Sequence, residues 1–160
     1  MKLIVVTLIM IVNLYAHPHF FVDASIDIQK EKIVHKWLFD RINSRLFIFD
    51  FDKNRNKQFE KEEQLSFLET HFEKLKTDNY NLFMEIGGDE LVADPTNMKV
   101  SIVNKRVELS FELIVKINND GVICTIDPTL YFAYKLNDAK SVYTNEVQKS
   151  EHDYCLGVTK

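Results

Sequence analysis

From Val22 onward the chain alternates. Val22, Ala24, Ile26 and Ile28 are apolar, while Asp23, Ser25, Asp27 and Gln29 are polar. Period two with one apolar face predicts a half-buried strand. Lys30-Glu31-Lys32 predicts a turn into a second strand over 33–39, and the two are expected to pair as a hairpin. At Asp40 the period changes. Ile42, Leu46 and Phe49 recur at helical spacing, and Leu65, Leu68, Phe72 and Leu75 predict a second helix over about 61–76. Strands then resume at 80–86 and 90–93, flanking Gly87-Gly88-Asp89, and at 99–103 and 106–117, flanking Asn104-Lys105. Further strands are expected at 122–126 and 130–136, with a weak one at 142–147. The tail from 149 is polar apart from Tyr154, Cys155 and Leu156 and is expected to be held down by Cys155. The fold class is α+β, mainly β. The expected architecture is a β-sandwich or bent antiparallel sheet, one domain over 17–160, with a helical insertion at about 41–76.

The insertion carries a spacing with chemical meaning. Read as a twelve-residue calcium loop, residues 52–63 place Asp52, Asn54 and Asn56 at positions 1, 3 and 5. Gln58 offers its carbonyl at position 7, Glu60 stands at 9, and Glu63 is the bidentate carboxylate at 12. Phe59 supplies the apolar tie to the body of the protein. Helix, loop, helix is the EF-hand context. Two features weaken the site. Lys57 stands where Gly should allow a left-handed turn, at a cost on the order of 1 kcal/mol. Lys53, Arg55, Lys57 and Lys61 also offset the charges of Asp52, Glu60, Glu62 and Glu63. A weak or lapsed Ca²⁺ site is expected.

The first sixteen residues read as a secretory signal peptide. Lys2 precedes an apolar run from 3 to 12, and Ala16 ends a more polar stretch. The run is shorter than the roughly 20 residues that span a bilayer; an uncleaved anchor is the alternative. Cleavage after Ala16 makes His17 the new N-terminus. Its amine and ring, with His19, then suit Ni, Co, Zn or Cu. Pro18 has no N–H and excludes the chelate that uses deprotonated amides. His35 reads either as a core residue or as a third ligand brought close by the first hairpin. The alternative for the two amino-terminal histidines is that they simply begin a strand.

The formal charge of −4 becomes more acidic once Lys2 is removed, which argues against nucleic acid and against a basic patch for anionic lipid. No direct membrane insertion is expected after cleavage. Cys124 and Cys155, in an exported chain, are candidates for a disulfide. There is no Gly-rich phosphate loop, no Gly-x-Ser-x-Gly and no His-Glu-x-x-His, so no enzyme is expected. Asp127-Pro128-Thr129 reads as a turn in which Asp127 or Thr129 bonds the backbone.

Four motifs in order carry a family resemblance: Ala16-His17-Pro18-His19-Phe20-Phe21-Val22, Trp37-Leu38-Phe39-Asp40, the acidic loop from Asp50 to Asn56 with Glu63, and Asp127-Pro128-Thr129-Leu130-Tyr131-Phe132. Together they resemble the bacterial family DUF1007, whose members are exported and often labelled periplasmic components of an ABC-type transport system. The resemblance implies a periplasmic accessory protein of transition-metal transport or homeostasis, partnered with a membrane metal transporter. The second reading is a calcium-stabilised protein–protein interaction module attached to such a transporter. Family loops usually carry Gly at the place of Lys57 and Asp at the places of Asn54 and Asn56.

Overall fold

The computed structural model describes residues 19–159, so the expected signal peptide and His17 lie outside the described residues. The chain is mainly β, with two five-stranded sheets and a helical insertion. The first sheet is built from β1 (Phe20–Ile28), β2 (Ile33–Phe39), β5 (Pro95–Val103), β6 (Arg106–Leu113) and β8 (Phe132–Ser141), in the order β5-β6-β2-β1-β8. The second joins β3 (Leu82–Ile86), β4 (Asp89–Glu90), β7 (Gly121–Thr125), β9 (Thr144–Lys149) and β10 (Tyr154–Thr159), in the order β4-β3-β7-β10-β9. The expected first hairpin forms, with Ile28 opposite Ile33 and Val22 opposite Phe39. Asn104 and Lys105 both take positive φ, as a two-residue hairpin turn demands.

Both sheets feed one apolar core. Trp37, Leu109 and Phe111 from the first sheet are buried in the same cluster as Met84, Ile123, Tyr154 and Leu156 from the second. Val22, Ala24, Ile26 and Ile28, the apolar phase of the first alternation, are all buried.

Three expectations change. The first sheet is mixed rather than antiparallel, because β1 and β8 run parallel with Phe20 opposite Phe132. The tail is no appendage. Its β10 lies between β7 and β9, with Tyr154, Leu156 and Val158 buried. The apolar phase there is only three residues long, which hid a strand whose burial depends on neighbours on both sides. The third change concerns the helices. In α1 (Arg41–Phe51) the predicted stripe of Ile42, Leu46 and Phe49 faces outward, and the buried side is Ser44, Phe47 and Phe51. Ser44 decides this rotation: its hydroxyl donates to the Phe39 carbonyl and accepts the Val107 N–H.

Beyond α2 (Lys61–Phe67), Leu68–Phe72 forms a π-helical turn and Glu73–Asn81 tightens into 3₁₀ geometry. Leu68 and Phe72 are buried as the spacing implies, but Leu65 is exposed and Phe67 takes its place inside. Gln64 docks α2 onto β5 by donating to the Phe59 carbonyl and accepting the Val100 N–H. Asn79, Tyr80 and Asn81 all have positive φ, so β3 starts at Leu82 rather than at residue 80. No described helix is long and apolar enough to cross a membrane.

Candidate functional site

The four sequence motifs fall largely at one junction, around the start of β1. Asp127 is buried and folds its own turn. One oxygen accepts Thr129 N–H at 2.8 Å and the Thr129 hydroxyl at 2.7 Å; the other accepts Phe132 N–H at 2.7 Å. That turn presents the Tyr131 carbonyl to the chain start, where it accepts the N–H groups of His19 at 2.8 Å and Phe20 at 3.1 Å. The His19 ring lies 4.7 Å from the Tyr131 ring. From the other side Asn43 donates to the His19 carbonyl at 2.9 Å, and Asp40 N–H donates to the Phe21 carbonyl at 2.9 Å.

Asp40 is also the N-cap of α1. Its carboxylate accepts Ile42 N–H at 2.7 Å, Asn43 N–H at 3.1 Å and the Asn43 amide at 2.6 Å. Partial burial pushes its carboxyl upward, but the hydrogen bonds from Asn43 and from the Ile42 and Phe21 backbone outweigh that and hold it below the ordinary carboxylate range. The helix therefore begins from the same contact that fixes β1.

The end of α1 opens into the loop at 52–63. Asp52 and Glu63, its first and last positions, are both buried. Asp52 accepts the N–H groups of Asn56 at 3.1 Å and Lys57 at 2.9 Å, one on each oxygen. Glu63 reaches back to accept Lys53 N–H at 2.7 Å and Glu60 N–H at 2.9 Å. Asn54 and Asn56 each accept the N–H two residues on, from Asn56 and Gln58, and the Glu60 carboxylate accepts from the Asn56 amide. Lys57 takes φ +64° and Arg55 φ +59°, so the chain makes the left-handed turn at position 6 although no Gly is there. Phe59 is buried against Phe67 and ties the loop to the core. As a donor set, the carboxylates of Asp52, Glu60 and Glu63, the amides of Asn54 and Asn56 and the Gln58 carbonyl are all hard oxygens, which suit a divalent cation such as Ca²⁺ rather than a transition metal.

A family model described as "Protein of unknown function (DUF1007)" matches residues 2–156. The chain belongs to the DUF1007 family. No curated protein and no solved structure matches it.

The fold separates His35 from His19. His35 lies opposite Ile26 on β2, seven strand residues along β1 from His19, a separation of roughly 23 Å. It is fully buried, its ring stacked on Phe111, and burial lowers its pKa to about 3. His35 is thus a core residue, set too far from His19 to share a metal ion with it. The reason is register: the hairpin brings its two strands together but sets His35 at the far end from His19. Among the described residues no three His, Cys, Asp or Glu side chains group to hold a metal ion.

His71 lies in the π-helical turn after α2. Its ring lies among Phe20, Phe47, Phe51 and Phe67, with centroids 4.8–6.2 Å away. Burial first, and Lys74 second, lower its pKa, with Asp50 opposing them. The DUF1007 junction, α1 and the second helix therefore share one aromatic seam. Its signal in the sequence was the number of phenylalanines, not their period. Cys124 and Cys155 form a disulfide across β7 and β10, where they face each other in register with Cα atoms 4.0 Å apart. Such bonds persist in oxidising compartments.

Proposed function

We propose that this DUF1007 protein is an exported, periplasmic, non-enzymatic accessory module on a β-sandwich frame. In this reading the loop at 52–63 takes Ca²⁺ weakly, and the cation stiffens the link between the two helices beside a membrane metal transporter. One observation carries it. Asp52 and Glu63, eleven residues apart, are both buried at the loop ends and hold its backbone in a tight turn by accepting the N–H groups of Lys53, Asn56, Lys57 and Glu60. The transporter as partner rests on the family resemblance. The test is a Ca²⁺ titration followed by melting temperature, because a ligand bound only by the folded state raises it. A rise that Glu63→Gln abolishes supports the reading; no shift at millimolar Ca²⁺ removes the cation from it.

A second reading assigns transition-metal binding (Ni, Co, Zn or Cu) to His17 and His19. It is favoured by His19, which is exposed while its backbone is fixed at both N–H and carbonyl. Calorimetric titration of Ni²⁺, Co²⁺, Zn²⁺ and Cu²⁺ into protein beginning at His17 tests it. Unchanged affinity after His17→Ala and His19→Ala would exclude those ligands.

A further inference from the structure

The overall acidity of the chain conceals a concentrated positive site. A cleft of about 600 Å³, within the size range of ligand pockets, is walled by Arg41 and Arg45 of α1, Arg55 and Lys57 of the loop and Lys105 of the β5–β6 turn, against one carboxylate, Asp52. Both Asp52 oxygens are already engaged by backbone N–H groups. The ion pairs among the described residues join Lys32 to Glu112, Arg106 to Asp23 and Lys140 to Asp138, and involve none of the five cleft cations. The sequence-level expectation of no basic patch fails here for a simple reason. Net charge is a sum, and the fold gathers cations from three separate segments.

Ile48, Phe49 and Asn104 complete the wall. Phe49 also begins an apolar ridge along the outside of α1, where Phe49, Ile42 and Leu46 are 79, 73 and 56 % exposed. Arg41 and Arg45 are helical neighbours one turn apart, and the ridge lies beside them on the same solvent side. A helical peptide partner would need an apolar groove to receive it. Here the concave part is cationic and the apolar part is convex. A layer of phosphate headgroups above acyl chains has the complementary arrangement.

We infer that this face docks on an anionic phospholipid surface, with headgroup phosphates in the cleft and Ile42, Leu46 and Phe49 entering the acyl boundary. The inference goes beyond the calcium and transition-metal readings and requires neither ion. Arginine forks bind phosphate oxygens in pairs, and each cation near an anionic bilayer adds to the affinity.

The test uses the full chain and vesicles of phosphatidylcholine with or without phosphatidylglycerol, in chelator so that calcium plays no part. Binding is expected only to the anionic vesicles and to weaken as salt rises. Arg41→Gln with Arg45→Gln should lower it on the order of 30-fold. The apolar segment at 3–12 could also partition into lipid, so a local reading is taken with Phe49→Trp. Its emission should shift to the blue and be quenched by brominated acyl chains, while the buried Trp37 serves as the fold control. Should the double arginine variant fail to fold, Lys105→Glu is read instead, with a loss of binding expected. Equal binding to neutral vesicles, or an unquenched tryptophan at position 49 in bound protein, overturns the inference. So does saturation by soluble glycerol phosphate with no preference for vesicles, which would make the cleft a small-anion site. Lipid-free self-association that Phe49→Ser abolishes would assign the ridge to a second copy of this chain and likewise overturn it.

Discussion

His35 lies flat against Phe111, the two rings 9° from parallel with centroids 4.9 Å apart, in a part of the core sealed from solvent. An imidazole there must stay neutral. Its pKa is about 3 in the folded chain against an ordinary value of 6.5, so between those limits the unfolded chain binds the extra proton. Stability is therefore complete above pH 6.5 and is lost as pH falls toward 3, at up to about 1.4 kcal/mol per unit. Urea unfolding at pH 7 and pH 4.5 should show this loss, and His35→Phe should flatten this component of it. An unchanged pH slope in the variant would assign acid sensitivity to other groups.

The Cys124–Cys155 bond closes a separation of 31 residues and clamps β7 to β10. The loop-closure entropy for that length corresponds to about 4 kcal/mol, and measured effects run from about 2 to 5 kcal/mol. Replacing both cysteines by Ala should lower unfolding free energy by that amount. Because β10 lies inside the second sheet, hydrogen exchange should accelerate in β9 and β10 together rather than at the chain end alone.

Lys57 adopts φ +64° in the loop, a conformation that disfavours any side chain. Lys57→Gly should stabilise the protein by about 0.5–1 kcal/mol and, on the proposed calcium reading, tighten Ca²⁺ binding. Thermal melting with and without Ca²⁺ separates the two effects. A lower melting temperature in the glycine variant would mean that the Lys57 side chain contributes more than its backbone costs.

Asn81 donates to the Tyr134 hydroxyl at 2.9 Å, with both groups buried. Burial pushes the Tyr134 pKa well above its usual value, and the Asn81 bond opposes that shift only in part, so the phenol stays neutral. Asn81→Ala leaves this hydroxyl unpaired and should cost about 1–3 kcal/mol. A cycle with Tyr134→Phe should return a coupling of about 1 kcal/mol, whereas additive losses would show that the pair does not interact.

The alternation from Val22 to Gln29, the Asn104-Lys105 turn and the pairing of Cys124 with Cys155 were legible because each is local or needs only one partner. The calcium-type spacing was legible for the same reason: Asp52, Asn56 and Glu63 act within one twelve-residue stretch. Other outcomes could not be read along the chain. Two apolar stripes compete for the inside of α1, and Ser44 settled the choice by bonding to Phe39 and Val107 in two different strands. His35 lies in β2 and His19 just before β1, yet register sets them far apart. The polar-looking tail became a central strand because β7 and β9 cover it. The alternation of the first strand, the Asn104-Lys105 turn and the spacing of oxygen-bearing side chains over 52–63 follow from adjacent residues and can be read along the chain. Which faces are buried and which distant charges meet was fixed by the packed fold, because burial and long-range electrostatics depend on neighbours that sequence order does not specify.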